Sequence, residues 1–437
     1  MRGHLVNPIG VAVSAALALP LSLSLPAAST ALTDTAASTG SAASRTPAAS
    51  GAPGPGATAD GAGHLRSSDG IPGTTQSLAL LPPAPASRSV APALERSLLR
   101  PEVTPFSLLG VVWADPASEL LGTVQVRTRP IGATRWTGWQ SVETHHHEHG
   151  ADPGTAEHRA ARGATAPLWV GPSDGVEVRV RPRAAEPFPA PSLPHGLRLE
   201  LVDPGRPPAG SAAARPEPAR APDAPAAIPA APAAKPYIGP RPKIVTRQGW
   251  GASESLREKG FAYTKTVKAA FVHHSATGNN YSCKQAPSVL RGIYRYHVVS
   301  SGWRDIGYNF AVDKCGNIYE GRAGGVTKAV RGAHTLGFNT NSMGIAVLGS
   351  YSRSTPPAAA VTGIAKLTAW KLGLFQGNPK GRVTLVSGGS GKYAKGRKVT
   401  FNVISGHRDG FNTDCPGARL YGKLGGARTA AAGYQGR

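Results

Sequence analysis

The sequence predicts an α/β domain over residues 244–424, preceded by a small all-β sandwich and by disordered Ala/Pro-rich linkers. Three observations carry this. Apolar strand-like runs and helical periodicities interleave in the C-terminal half, the signature of an α/β layer architecture. Residues 104–203 instead hold short alternating runs separated by turn residues, with no helical period. The chain of 437 residues also contains 54 Gly and 40 Pro, with much Ala, so a good part of it is not packed core.

Taken in order, residues 1–31 read as a secretory signal. Arg2 and His4 precede an apolar stretch from Ile9 to Leu25, and small residues at Pro26–Ala31 supply a cleavage region. An uncleaved anchor is the alternative, disfavoured by Pro20 and the serines that interrupt the apolar run. Residues 32–103 are dominated by Ala, Ser, Pro, Gly and Thr and are expected to be a flexible tether.

The sandwich of 104–203 is read from Phe106–Trp113, Gly122–Thr128, Arg135–Trp139, Pro167–Val170, Val176–Val180 and Leu197–Leu201. Trp136, Trp139 and Trp169 are expected to be core aromatics rather than a sugar-stacking platform. The run His145-His146-His147-Glu148-His149 is expected to be an exposed loop with adventitious metal affinity, because no framework fixes its geometry. Residues 204–243 return to Ala and Pro and form an extended spacer.

In the domain from 244 the run Ala269–Val272 ends in His273-His274-Ser275, a buried strand delivering side chains to its C-terminal end. Ala286, Val289, Leu290, Ile293 and His297 share one helical face, with Pro287 near the start. Tyr308–Val312, Ile318–Glu320 and Met343–Leu348 read as strands, and Val361, Ile364, Ala365 and Leu372 mark a second helix. A basic hairpin broken by Gly388–Gly391 precedes Phe401–Ile404, and residues 425–437 are expected to be a tail.

His273 with His407 and Cys415 would make a three-ligand zinc site with an open fourth position, although local spacing alone does not establish metal binding. If Cys415 is a ligand, Cys283 and Cys315 are left to pair in an oxidising compartment; three unrelated buried thiols are the alternative. The net charge is +23, and 29 of the 48 Lys and Arg but only 7 of the 25 Asp and Glu lie from Arg241 onward. Such a surface suits a polyanion, either nucleic acid or the anionic polymers of a bacterial wall.

Five blocks in order resemble the peptidoglycan recognition proteins and the type-2 zinc N-acetylmuramoyl-L-alanine amidases. They are Phe271-Val272-His273-His274-Ser275, Gly302–Phe310, Ile318-Tyr319-Glu320-Gly321-Arg322, Gly332–Thr335 with Asn339–Ile345, and Gly406–Asp409 ending in Thr413–Gly417. The resemblance covers less than half the chain. It implies a mixed central sheet flanked by helices, with a groove holding Zn2+. It further implies His273 (rather than His274), His407 and Cys415 as metal ligands, and Tyr308 and Thr413 as catalytic residues beside the metal. Arg322, His334 and Thr335 would line or support the substrate groove, and Asp409 would orient His407 or pair with Arg408. Family members that only bind wall fragments typically lose the cysteine, which this chain keeps.

The function expected is therefore hydrolysis of the amide between N-acetylmuramic acid and L-alanine by a secreted, wall-associated enzyme. Its partners would be peptidoglycan and anionic wall polymers, with no specific nucleic acid and no stable membrane span. The competing expectations are a non-catalytic wall sensor with a structural zinc and a general polyanion binder. The second lacks a recognisable nucleic-acid module.

Overall fold

The computed structural model describes residues 64–66, 71–82, 95–144, 148–183, 192–207 and 237–437. The signal-like segment 1–31, His145–His147 and most of the spacer 204–243 lie outside the described residues.

The N-terminal β domain contains β1 (His64–Arg66), β2 (Thr74–Ala79), β3 (Arg96–Arg100), β4 (Phe106–Trp113), β5 (Gly122–Pro130) and β6 (Gln140–Val142). After a short helix α1 (Ala156–Ala160) come β7 (Gly163–Ala164), β8 (Leu168–Pro182) and β9 (Arg198–Asp203). The strand order is β1-β2-β9-β4-β8-β5-β6, with β3 on β8 and β7 on β4. The 15-residue β8 serves two layers: its start pairs with β4, and Val176–Val180 pair with both β5 and β3. Leu109, Val111, Val124, Val126, Val178 and Leu199 fill the space between the layers.

Three strands of this domain, β1, β2 and β3, fall within 32–103, where composition predicts a tether. β2 hides because it is polar: Thr75, Gln76 and Ser77 are buried, and their bonding partners lie elsewhere in the fold. The Gln76 amide donates to the Thr104 carbonyl at 2.7 Å, and Ser77 donates to Glu200. A strand stabilised by such contacts leaves no apolar alternation to read. The tryptophans also depart from expectation. Trp169 is buried, but Trp136 and Trp139 are only partly buried, with Arg127 over both rings and Arg179 at 4.0 Å from the Trp139 centroid.

The second domain begins with β10 (Ile244–Val245) and α2 (Arg247–Trp250), followed by β11 (Ala269–His274) and α3 (Ala286–Arg295). Next come β12 (Phe310–Val312), β13 (Ile318–Glu320), β14 (Ser342–Val347) and α4 (Ala358–Gly373). The chain closes with a hairpin of β15 (Arg382–Val386) and β16 (Lys398–Asn402), then β17 (Ile404–Gly406), α5 (His407–Gly410), α6 (Ala418–Tyr421) and α7 (Leu424–Tyr434). The central sheet runs β10-β13-β12-β14-β11-β17 and is mixed, β12 and β13 being antiparallel and the other pairs parallel. Ala270, Val272, Ile345 and Val347 face a core shared with α4 and α7, while Ala311 and Ala346 face the side of α3. Helices thus cover both faces, as parallel strands require.

The expected tail is the helix α7. Leu424, Ala427 and Ala431 recur at helical spacing, are buried, and join the core that contains α4. Its Ala/Gly composition matches that of the linkers, which concealed the periodicity. Cys283, just before α3, and Cys315, in the β12–β13 turn, form a disulfide.

The two domains share a core, which the intervening Ala/Pro spacer gave no reason to expect. All eight residues of β4 are buried. Leu109, Val111 and Trp113 point into the sandwich, while Leu108 and Val112 pack with Leu290, Ile293 and Tyr296. The Tyr296 hydroxyl donates to the Thr165 carbonyl at 3.0 Å, and Arg295 Nε donates to Thr75 Oγ1 at 3.0 Å.

Candidate metal centre

β11 lies between β14 and β17 and is parallel to both, so their C-terminal ends open on the same side. Val272 is in register with Gly406, which places the next residues, His273 and His407, side by side. Their ring centroids are 4.5 Å apart, and both side chains are fully buried. A crevice beyond the carboxyl ends of parallel strands is where α/β sheets place ligands. Strand alternation decides between the paired histidines: His273 turns to the cluster, while His274 points elsewhere, its Nδ1 accepting from the Tyr351 backbone N–H at 3.3 Å.

Cys415 arrives from the segment after α5, its backbone N–H donating to Thr413 Oγ1 at 3.1 Å and its carbonyl accepting from Arg408 N at 2.9 Å. Its Sγ lies 3.8 Å from His273 Nδ1. The other ring nitrogen of His273, Nε2, faces away, 3.3 Å from His334 Nδ1 and 3.4 Å from Thr335 Oγ1. With Nδ1 turned toward the cluster, a hydrogen on Nε2 would be held by these two groups, the tautomer a metal at Nδ1 needs. His334 and Thr335 are thus fully buried behind His273 rather than exposed along a groove. Burial, reinforced by Arg322, pushes the His334 pKa down to about 3, so it is a neutral support.

Tyr308 is buried, with its ring centroid 5.5 Å from that of His273. Burial, with Cys415, Glu148 and Glu143 nearby, raises its pKa well above the usual phenol value, keeping it a neutral hydroxyl donor. Asp409 caps α5, accepting from Gly406 N at 2.9 Å and from the Tyr421 hydroxyl at 2.7 Å. Arg408 instead pairs with Asp414, at 3.3 Å.

The largest departure from the sequence reading is His149. Expected in an exposed loop, it is buried at the centre of the site. Its Nε2 lies 3.6 Å from Cys415 Sγ, and its ring centroid is 4.4 Å from that of His407 and 5.1 Å from that of His273. One donor atom each from His149, His273, His407 and Cys415 lies within 4.8 Å of all the others. Three imidazoles and a thiol converging in a buried pocket are a donor set suited to zinc. Burial pushes the Cys415 thiol well above its ordinary pKa, so a cation is what would favour its thiolate. His145–His147 lie outside the described residues.

Neighbours of His149 reach the residues assigned to catalysis and substrate. Thr413 Oγ1 donates to Glu148 Oε1 at 2.8 Å. Arg322 forms a buried ion pair with Glu157, Nη1 lying 3.0 Å from Oε2, and its Nε donates to the Ile306 carbonyl. The one signal of this among the residues is the histidine run itself, which does not reveal its destination.

A family model described as N-acetylmuramoyl-L-alanine amidase matches residues 263–418, and one described as Rv3811 N-terminal galactose-binding domain-like matches residues 69–223. Peptidoglycan-recognition protein SC2 of Drosophila simulans is 32% identical over 182 residues, covering 41% of this chain and 84% of that protein. Peptidoglycan-recognition protein SA of Drosophila melanogaster is 31% identical over 184 residues, covering 42% and 77%. Among solved structures, Drosophila PGRP-LB is 26% identical over 42% of this chain and 92% of its own, with a TM-score of 0.33. The fold and site define an α/β domain of the type-2 amidase class. The chain belongs to the peptidoglycan-recognition protein family.

Proposed function

We propose that the chain is a zinc-dependent N-acetylmuramoyl-L-alanine amidase that acts on peptidoglycan outside the cytoplasm. The observation that carries this is the convergence of Cys415 with His273 and His407 at the ends of adjacent strands. Zinc held by these donors would supply Lewis-acid polarisation of the scissile carbonyl and acidify water toward a pKa of about 7. His273 is oriented for this by His334 and Thr335. The neutral Tyr308 hydroxyl is suited to donate to the oxygen that gains negative charge as the amide is attacked, and Thr413 offers a second hydroxyl beside Cys415. The basic excess from Arg241 onward supports attraction to anionic wall polymers. Among the described residues no helix is long and apolar enough to cross a membrane.

The fourth donor, His149, favours a second reading, because structural zinc sites are closed by four protein ligands. A non-catalytic peptidoglycan binder would use such a site. Purified peptidoglycan separates the two. The amidase releases stem peptides that begin with L-alanine, and both chelation and Cys415→Ala abolish the release. Binding to the wall without release, from the parent chain and from a His149→Ala variant alike, contradicts it.

A further inference from the structure

We propose that His149 is a fourth ligand of the metal site and that the segment 148–162 is an autoinhibitory latch carried by the β domain. The proposal rests on the amidase reading. A hydrolytic zinc site holds three protein ligands and keeps its fourth position for water and substrate. Here that position is met by an imidazole from the other domain, 266 residues away from Cys415 in the chain.

The contacts on either side of His149 form a consistent set. Glu148 accepts from the Thr413 hydroxyl at 2.8 Å, and its carbonyl accepts from Leu336 N at 3.0 Å. The Gly150 carbonyl and Asp152 Oδ1 both accept from the Asn339 side-chain amide, at 2.7 and 2.8 Å, and Asp152 also accepts from Gly337 N at 2.9 Å. Glu157 takes the Arg322 guanidinium and accepts from Arg304 N at 3.2 Å. Thr413 and Arg322, two residues assigned to catalysis and substrate, are thereby engaged by side chains of the segment. A wall fragment and the latch would compete for the same groups.

The way the segment is held also suits a latch. It is part of the connection between β6 and β7, which carries the short helix α1. The contacts given above are polar or metal-directed, so a polar ligand entering the site could replace them. The apolar union of the domains lies elsewhere, between β4 and α3. The segment can therefore withdraw while the domains stay docked. A cavity of about 470 Å³ borders it, lined by His149, Pro153 and Arg162 on one side and by Trp303, Leu336 and Gly389 on the other, giving room for that movement.

The test uses the full-length chain loaded with zinc, compared with His149→Ala and Glu157→Gln, and reads two quantities. The first is transfer of zinc to a competing chelator. Removing even an outer partner of a metal ligand costs about 10–100-fold in affinity, so His149→Ala is expected to lose zinc at least about tenfold more readily. The second is peptide release from peptidoglycan, expected to rise at least about tenfold in His149→Ala as the competent fraction of the enzyme grows. Glu157→Gln keeps every ligand and loosens only the latch. It is expected to raise peptide release while changing zinc retention less, and it carries the test if His149→Ala fails to fold. Equal peptide release from the parent and both variants overturns the latch and leaves the amidase standing. No release from any of the three, with wall binding intact, overturns the amidase reading and the latch with it.

Discussion

Nε2 of His149 approaches Sγ of Cys415 to 3.6 Å, bringing a side chain of the β domain into the metal cluster. The contact is made possible by docking of β4 against α3, which sets the β domain firmly enough to aim one side chain into a buried cluster.

Gly110 sits on β4 where the Tyr296 ring crosses it. A Cβ there would lie 2.4 Å from the Tyr296 hydroxyl oxygen and 2.6 Å from the ring carbon that bears it. Gly110→Ala should therefore strain the interface, costing about 1–3 kcal/mol as overpacking usually does. The checks are a lowered Tm and its partial recovery in Gly110→Ala/Tyr296→Phe. An unchanged Tm in the single variant would show that the domains are not docked this way.

The Cys283–Cys315 bridge closes a loop with a sequence separation of 32. Chain-entropy reasoning gives about 3–4 kcal/mol for a loop of that length. Replacing both cysteines with serine should lower the denaturant midpoint accordingly while leaving zinc content unchanged, because neither belongs to the metal cluster. Loss of zinc in this variant would contradict the separation of the two roles.

Lys371 is buried on α4, its Nζ donating to the carbonyls of Val326 and Lys328 at 2.6 and 2.7 Å. Burial pushes its pKa down from 10.5 to about 7. Between those values the unfolded chain holds a proton that the folded chain does not, so this residue makes stability rise with pH over that window. The penalty is complete below about pH 7. Tm recorded from pH 7 to 10 should climb more steeply for the parent than for Lys371→Met. Parallel profiles would show that Lys371 stays charged in the folded state.

The parts of this molecule legible in the sequence are those whose signals are local. Phe271-Val272 leads directly into His273, and Gly406-His407 follows the neighbouring strand, so both ligands announce themselves at strand ends. Strand β2 and helix α7 escaped notice because small polar residues and Ala/Gly carry little periodic contrast. His149 escaped for a different reason. Its neighbours in sequence are other histidines, and its partners come from a domain whose docking depends on side chains such as Leu108 and Tyr296 meeting across the chain. No local pattern encodes that encounter.

The most direct measurement is mass analysis of the soluble products from purified peptidoglycan treated with zinc-loaded His149→Ala, set against His149→Ala/Cys415→Ala. The account predicts stem peptides beginning with L-alanine from the first protein, at a rate above the parent chain, and none from the second. Peptides absent from both, while each still binds the wall, would contradict it and leave a closed, structural metal site in a binding protein.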